Sequence, residues 1–251
     1  EAVAIAEPDA ASAEAARQMA PGVAVTDDFG ALLARDDLDG IVIATPSAAH
    51  ARQSVAALER GLSVFCQKPL GRNAAEAATV VEAARRADRL LGVDLSYRHT
   101  AAMAAIRKAI RTGAIGDVFG VDLVFHNAYG PDKPWFYDKA LSGGGCVIDL
   151  GVHLVDLALW VLDFPEVVSV TGDLYAGGVR LADLDRVEDY AVATIALATG
   201  TTIRLACSWN LHAGREAEIA ARFFGTAGGL QMRNIDGSFY DFTAEAMTGT
   251  A

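Results

Sequence analysis

The most constraining feature of the sequence is the alternation of short apolar runs with helix-like segments over its first 95 residues. The runs are continuously apolar, which is typical of parallel strands that are buried on both faces of a sheet. The segments between them have the apolar spacing and the flanking polar, Pro and Gly residues of helices. This alternation predicts a doubly wound parallel sheet with helices on both faces. The expected strands are residues 2–6, 23–25, 40–46, 62–66 and 90–95, and the expected helices are residues 10–20, 28–34, 50–60 and 74–88.

A different pattern begins after Arg98, which marks the predicted boundary between two domains. A helix and a strand come first, then an aromatic loop and a helix that opens with Gly143-Gly144-Gly145. Consecutive strand-like runs without helices follow, and they predict a mostly antiparallel sheet. These runs are residues 167–174, 190–197, 201–209 and 217–224, with weaker ones at 230–233 and 238–242. We therefore predict an α/β domain of the Rossmann type over residues 1–98 and an α+β domain over residues 99–251.

Composition argues against several classes of function. A formal net charge of −11 disfavours nucleic acid or an anionic membrane as the main partner. Cys66, Cys146 and Cys207 lie far apart, which fits neither a disulfide framework nor a metal-binding spacing and favours a cytoplasmic location. No apolar run approaches the roughly 18 residues of a membrane span, and no signal peptide is recognisable at the start. These features predict a cytoplasmic protein that acts on a small molecule.

Glu7 ends the first expected strand, at the edge of a doubly wound sheet where ligands bind. An acidic residue there accepts hydrogen bonds from the adenosine ribose and repels a 2′-phosphate, which favours NAD over NADP. Its alternative role is that of a carboxylate stabilised at a helix N-terminus. A phosphate-binding G-x-G-x-x-G loop would precede Glu7 by about 20 residues, which is before residue 1. We therefore expect the chain to lack the first strand and the glycine loop of this fold.

Lys68 follows a buried strand and precedes Pro69, which restricts the lysine backbone to extended conformations. A lysine held at the ligand-binding edge of a sheet can polarise or deprotonate a hydroxyl group, whereas most surface lysines have no such role. Thr45-Pro46 and Arg98 end other strands and are further candidates for cofactor contact.

Asp149 and His153 are four residues apart on the helix after the glycine run, so we expect their side chains to share one face. A carboxylate beside an imidazole is suited to proton transfer, although such a pair on a helix is usually solvated or structural. Asp156 could complete a metal site, but no cysteine or further histidine at ligand spacing supports a metal. The glycine run follows a loop and not a buried strand, which argues against a pyrophosphate site and favours a flexible entry to the substrate side.

Tyr129 and Trp135, in the loop before this helix, are candidate substrate-binding residues. Aromatic rings are common in pockets for small ligands, and these two suit stacking on a sugar-like ring. Their alternative role is ordinary packing of the loop.

Two longer motifs, taken together, resemble the glucose–fructose oxidoreductase, inositol dehydrogenase and MocA family of NAD(P)-dependent oxidoreductases. Residues 62–70, with Thr45-Pro46 upstream, resemble the Glu-Lys-Pro-Leu turn that follows a Rossmann strand in that family. Residues 143–160 resemble its Gly-Gly-Gly…Asp-x-Gly-x-His…Asp…Trp helix, and the two motifs occur in the family's order. Residues 6–9 and 223–229 resemble two further turns of the family.

The resemblance implies a Rossmann domain, a second domain with a large and mostly antiparallel sheet, and a homodimer or homotetramer formed through that sheet. It implies that Lys68, Asp149 and His153 form the catalytic group. It also implies that Glu7 binds the ribose and that Thr45-Pro46 lies beside the nicotinamide. The expected reaction is hydride transfer between NAD and a secondary alcohol of a sugar, a cyclitol or a related polyol.

Two alternatives remain open at this point. Gln67 stands where the family usually has Glu, and the glycine loop is expected to be missing, so the chain could be a non-catalytic fragment or a degenerate binding or scaffold protein. Alternatively, such a fold could use NAD for transient oxidation during glycoside cleavage or epimerisation. Within the hydride-transfer scheme, either Lys68 or His153 could accept the hydroxyl proton.

Overall fold

The computed structural model describes residues 1–183 and 185–249 of the chain. Leu184, Thr250 and Ala251, which belong to the predicted second domain, lie outside the described residues.

The chain forms two compact units, and each is described by itself. The first unit comprises Glu1–Thr45, Ala49–Leu70 and Ala74–Val93. The second unit comprises Pro46–Ala48, Gly71–Asn73 and the residues from Asp94 onward. The chain thus enters the second unit for the last time after Val93, near the predicted boundary at residue 98.

The first unit is an α/β structure whose strands pair in parallel. Its strands are β1 Ala4–Ala6, β2 Ala24–Thr26, β3 Gly40–Ile43, β4 Ser63–Cys66 and β5 Leu91–Val93. Its helices are α1 Ala10–Met19, α2 Phe29–Leu33, α3 Ser47–Glu59 and α4 Ala74–Ala87. The strands pair as β1–β2 and as β3–β4–β5. These are the pairings on either side of strand 1 in the doubly wound order 3-2-1-4-5-6.

The core of the first unit lies on one face of the strands β3, β4 and β5. Ile43, Val64 and Cys66 are buried there in one cluster with residues of α3 and α4. Side chains alternate across a strand, and on the other face Val42 and Phe65 are 69% and 44% exposed. We expected helices on both faces of the sheet. In these three strands, helices cover one face, and the other face is partly exposed.

The second unit contains helices and a large mixed sheet. Its helical elements are a 3₁₀ turn at Ser96–His99, α5 Ala101–Arg111, a 3₁₀ turn at Pro134–Tyr137, α6 Lys139–Ser142, a π-helical turn at Val147–Gly151 and α7 Val152–Val161. Its strands are β6 Val118–Asn127, β7 Val167–Ala176, β8 Val179–Arg180, β9 Tyr190–Leu197, β10 Thr202–Ser208, β11 Ala217–Gly225, β12 Gly228–Asn234 and β13 Phe242–Met247.

Within the described part of the chain, these strands form one sheet in the order β13-β12-β11-β6-β10-β9-β7-β8. Neighbouring strands pair antiparallel, except that β6 and β10 pair in parallel. The expectation of a mostly antiparallel sheet is therefore confirmed.

The prediction of a strand at residues 238–242 is wrong. Asp236 and Gly237 adopt positive φ angles, and the Ser238 hydroxyl donates to the carboxylate of Asp241 and accepts the N–H groups of Tyr240 and Asp241. These local bonds close a turn, and the strand begins only at Phe242. An apolar pattern alone does not reveal such a side-chain-stabilised turn.

The core of the second unit lies between α5, α7 and one face of the sheet. Val121, Leu123 and Phe125 alternate along β6 and point into it, together with Leu154 and Leu157 of α7. No residue of Val152–Val161 is exposed, so this helix is at least partly covered on every side. The residues of the predicted catalytic helix are thus carried on a buried, tightly packed element.

Among the described residues, the stretch Lys139–Val161 is long and apolar enough, by length and composition, to cross a membrane. It carries Asp149 and Asp156, and its buried residues belong to the core of the second unit. We therefore assign it as a core helix of this unit.

Candidate active site

In the first unit, the predicted cofactor-binding residues follow the carboxyl ends of the strands. Glu7 follows β1, and its Oε1 atom accepts the N–H of Asp9 at 2.9 Å, just before α1. Asp9 in turn caps α1 by accepting the N–H of Ser12 at 2.8 Å. The Glu7 carboxylate thus lies at a helix N-terminus, which was its alternative role, and its contact with a ribose stays a prediction.

A buried histidine joins the two turns that carry Thr45 and Lys68. His50 Nδ1 lies 2.7 Å from the carbonyl oxygen of Pro69, and His50 Nε2 lies 2.7 Å from the carbonyl oxygen of Thr45. His50 is 2% exposed, and the Lys68–Pro69 peptide bond is cis. The Thr45 hydroxyl donates to Gln53 Oε1 at 2.7 Å. Nothing in the spacing of His50 along the sequence pointed to these two turns.

Arg98 lies in the second unit, where it forms an ion pair with Asp156. Its Nε atom donates to Asp156 Oδ2 at 2.5 Å, and its Nη2 atom donates to Asp156 Oδ1. The two side chains are 26% and 11% exposed, and the guanidinium carbon lies 5.4 Å from the ring centroid of Phe164. Asp156 is thus engaged by Arg98. The contact of Arg98 with a cofactor stays a prediction.

Asp149 lies in the π-helical turn before α7 and is held by Trp209. The indole Nε1 of Trp209 donates to Asp149 Oδ2 at 3.0 Å. The ring of Tyr137 packs edge-on against Trp209, with centroids 5.6 Å apart. Burial raises the pKa of the Tyr137 hydroxyl, and the charge of Asp149 adds to that effect. π-Helical turns occur frequently at functional sites.

His153 lies one turn further on, against Tyr97 and Phe125. Its ring centroid is 4.9 Å from that of Tyr97 and 6.4 Å from that of Phe125. Burial raises the pKa of the Tyr97 hydroxyl above its usual value, and the Tyr240 hydroxyl and the Asp149 carboxylate raise it further. Tyr97 is therefore in ring contact with His153 and within electrostatic reach of Asp149. Neither Tyr97 nor Trp209 was predicted as a site residue, because each is remote in sequence from the helix.

The two aromatic residues that were predicted to bind substrate lie in different surroundings. Tyr129 is 49% exposed, and its ring centroid lies 6.3 Å from that of Phe239. Trp135 stacks on Phe136 with centroids 3.8 Å apart, and Phe136 packs edge-on against Trp209. Trp135 is thus linked through Phe136 to the residue that binds Asp149. Contact of either residue with a substrate stays a prediction.

Close packing accounts for the first glycine of the run that precedes the helix. Gly143 has a φ angle of +89°, and a Cβ atom there would lie 2.7 Å from Arg72 Cβ and 2.9 Å from Arg72 Cα. The Arg72 Nη1 atom also donates to the carbonyl oxygen of Ala140 at 2.5 Å. The segment Gly71–Asn73 therefore packs directly on this glycine, which was interpreted from the sequence as a flexible entry.

The site in the second unit holds acid–base groups. Across residues 1–183 and 185–249, no group of three or more His, Cys, Asp and Glu side chains is placed to hold a metal ion. In the second unit, Asp149 and His153 combine a carboxylate and an imidazole beside a phenol hydroxyl, in partly buried surroundings. Such groups can accept, donate and orient a proton.

Two protein-family models match the chain. The model described as the oxidoreductase family, NAD-binding Rossmann fold, matches residues 1–95. The model described as the GFO/IDH/MocA C-terminal domain matches residues 103–231.

Individual relatives agree with these matches. The chain is 29% identical over 230 residues to levoglucosan dehydrogenase of Pseudarthrobacter phenanthrenivorans, which covers 82% of this chain and 58% of that protein. It is 27% identical over 243 residues to D-glucoside 3-dehydrogenase of Escherichia coli, covering 92% and 69%. A solved structure of levoglucosan dehydrogenase in complex with NADH and levoglucosan is similar with a TM-score of 0.81, at 25% identity, covering 97% of this chain and 70% of that one.

Proposed function

Because the chain belongs to the GFO/IDH/MocA family of NAD-binding oxidoreductases, we propose that it transfers a hydride between NAD and a secondary alcohol of a sugar, a cyclitol or a related polyol. The observation that carries the proposal is the placement of Asp149 and His153 around Tyr97, with Trp209 holding the Asp149 carboxylate. Relatives whose names identify them as dehydrogenases of levoglucosan and of D-glucosides support the substrate class.

The first unit offers suitable groups for a nicotinamide dinucleotide. The Glu7 carboxylate follows the carboxyl end of β1, the Thr45 hydroxyl that of β3 and the Lys68 ammonium group that of β4. Ligands of doubly wound sheets bind at such ends. We propose that Glu7 binds the ribose hydroxyls, which favours NAD over NADP, and that Thr45-Pro46 and Arg98 contribute further cofactor contacts.

The residues of the chain would handle the proton of the alcohol. When bound, the nicotinamide supplies the hydride-accepting carbon. In the direction of oxidation, His153 accepts the hydroxyl proton, and Asp149 orients its ring and stabilises the imidazolium. Lys68 donates a hydrogen bond to the same oxygen and stabilises its developing negative charge. The reverse assignment, with Lys68 as the proton acceptor and His153 as the donor, fits the same groups.

Kinetics of two variants test this assignment in the longest natural protein that contains the chain. Lys68→Ala and His153→Ala should each lower turnover of NAD with a polyol by roughly 10²–10⁴-fold, the usual contribution of an acid–base group. Thermal unfolding of each variant would separate loss of chemistry from loss of fold. Turnover close to that of the unmodified protein in both variants would refute the roles given to these residues.

We also propose that copies of the protein associate through the outward face of the sheet. A cavity of about 690 Å³ lies on this face, and its lining includes Val124, Ala206 and Val192, which are neighbours across β6, β10 and β9. The Arg204 guanidinium, also in the lining, donates to both carboxylate oxygens of Asp122 at 2.6 and 2.5 Å. Arginine and apolar side chains are both common in interfaces. Val192→Glu should shift the molecular mass measured by light scattering to that of the monomer, and an unchanged mass would refute this interface.

A further inference from the structure

A single buried glutamate accepts the N–H groups at the start of the helix that carries Asp149 and His153. Three consecutive N–H groups donate to Glu188: that of Gly145 to Oε2 at 2.9 Å, that of Cys146 to the main-chain oxygen at 3.0 Å, and that of Val147 to Oε1 at 3.0 Å. Glu188 is 6% exposed. It lies just before β9, so it connects the sheet to the start of this helix.

These three bonds meet a requirement that every helix start has. The first N–H groups of a helix have no partners within the helix, and a carboxylate is their strongest acceptor, because it also interacts favourably with the helix dipole. Both carboxylate oxygens of Glu188 are used in this way, so its carboxylate is committed to the main chain. The position of residues 145–147 is therefore set by Glu188.

A glycine makes this close approach possible. A Cβ atom on Gly145 would lie 1.8 Å from the main-chain oxygen of Glu188 and 2.8 Å from its carbonyl carbon. No side chain larger than hydrogen fits there without movement of the backbone. Glu188 and Gly145 therefore form a matched pair.

The residue after Glu188 extends the same support to Asp149. The main-chain oxygen of Asp189 accepts the N–H of Trp209 at 2.7 Å. The indole of Trp209 then donates to Asp149 Oδ2 at 3.0 Å. Glu188 thus supports Asp149 through the main chain at the helix start, and the main chain of Asp189 supports it through Trp209, whose indole is the donor.

We propose that Glu188 is a positioning residue that sets the placement of Asp149, an inference that rests on the proposed function. Its carboxylate holds the main chain four residues before Asp149, where the Asp149 N–H donates to the Gly145 carbonyl oxygen at 3.0 Å. Loss of one Glu188 contact displaces Gly145 and, through that bond, Asp149. Glu188 itself does not exchange a proton with the substrate, since both of its oxygens are bound to backbone N–H groups.

The first test compares two adjacent acidic residues. Glu188→Gln places an amide N–H₂ group against one of the two backbone N–H donors. It should lower kcat for NAD-dependent polyol oxidation by roughly 10–100-fold, the scale of a misplacement of about 1 Å, while KM for NAD stays within about twofold. Asp189→Asn is the matched control, because the Asp189 carboxylate accepts the N–H of Gly177 and not an N–H of residues 145–147, and the bond from the Trp209 N–H to its main-chain oxygen is retained. It should leave kcat within about twofold.

A double-mutant cycle separates positioning of Asp149 from general support of the fold. In an Asp149→Asn background, Glu188→Gln should lower kcat by less than about threefold, because the group that it positions is already lost. An equal loss in both backgrounds would overturn the proposal. Asp149→Asn and His153→Ala variants with unchanged kcat would instead refute the proposed function, and a normal kcat in Glu188→Gln alone would refute only the role of Glu188.

A spectroscopic measurement makes the test independent of turnover. In protein labelled with ¹⁵N-tryptophan, the indole resonance of Trp209 reports its bond to Asp149 and is assigned by its loss in Trp209→Phe. Glu188→Gln should move it toward its position in Asp149→Asn, whereas Asp189→Asn should not. If Glu188→Gln does not fold, Glu188→Asp retains the charge with a shorter reach and should give a smaller shift in the same direction. An unmoved resonance in the folded variant would overturn the inference.

Discussion

The three consecutive glycines before the catalytic helix should respond differently to the same small substitution. In Gly145→Ala, the added Cβ would lie 1.8 Å from the main-chain oxygen of Glu188, whereas ordinary contact begins at 3.4 Å. Because the obstructing atom belongs to the backbone, Glu188 would have to retreat by about 1.6 Å in a close-packed interior. A retreat of that size breaks the three hydrogen bonds that Glu188 accepts from residues 145–147.

The cost of Gly145→Ala follows from those bonds. A neutral hydrogen bond contributes about 0.5–1.5 kcal/mol and one to a charged group about 1.5–3 kcal/mol, so losing one of the first kind and two of the second costs about 3.5–7.5 kcal/mol. For a chain of this size each kcal/mol lowers Tm by about 2–4 °C. We therefore expect Gly145→Ala to lower Tm by at least about 7 °C in thermal unfolding followed by circular dichroism.

Gly144→Ala is the matched control for this prediction. The three atoms nearest its added Cβ would be Ile148 Cγ2 at 3.4 Å and Glu188 Oε2 and Ile148 Cβ at 3.8 Å, which are ordinary contacts. Its Tm should stay within about 4 °C of that of the unmodified protein, since Gly→Ala at a compatible position changes stability by only about 0.4–1 kcal/mol. Equal Tm losses in the two variants, or a larger loss in Gly144→Ala, would refute the steric reasoning.

Three further predictions follow from the contacts of single side chains. Trp209→Phe keeps an aromatic ring but removes the indole N–H that donates to Asp149. This charge-assisted hydrogen bond contributes about 1.5–3 kcal/mol, so the variant should lower kcat by roughly 10–100-fold. An unchanged kcat in steady-state kinetics would contradict this prediction. Burial raises the pKa of the Cys66 thiol to about 11, and all three cysteines are buried. Ellman's reagent at pH 8 should therefore label no cysteine in the folded protein and three after unfolding. Rapid labelling before unfolding would contradict this prediction. Burial lowers the pKa of His126 in the folded protein below its usual 6.5. The unfolded chain therefore binds this proton more readily than the folded one. The contribution of His126 to the free energy of unfolding should be fully present above about pH 6.5 and should be lost as the pH falls through the folded-state pKa. Urea unfolding at pH 7.5 and 5.5 should show a smaller difference in His126→Gln, and an equal difference would count against this origin.

Much of the architecture could be predicted from the sequence because its causes are local. Continuous apolar runs and helical periodicity predicted the strands and helices of the first unit, with bounds that differ by a few residues. Consecutive strand-like runs predicted the mostly antiparallel sheet of the second. The failure at residues 238–242 arose where a serine hydroxyl, and not the apolar pattern, decided the backbone path.

The candidate site was predictable only in part. Asp149 and His153 were predicted from their spacing and from a family motif; Asp149 lies in the π-helical turn and His153 in α7, and both are partly buried. Their neighbours Tyr97 and Trp209 could not be predicted, because they come from segments far away in the chain. Arg98, a candidate for cofactor contact, forms an ion pair with Asp156 that no local pattern indicates.

The sequence by itself determined which segments become helices and strands, since periodicity, turn residues and caps act within a few residues of one another. It also determined the family, because the Lys68-Pro69 turn and the Gly143–Trp160 helix carry their motifs locally. Only the tertiary structure decided which distant groups meet: Glu188 with residues 145–147, and Trp209 with Asp149. The physical reason is that such contacts depend on strand register and on backbone approach across the core, which local preferences do not specify. The glycine run shows the difference most clearly, because its composition suggests flexibility while its neighbours Arg72 and Glu188 leave no room for a side chain at two of its three positions.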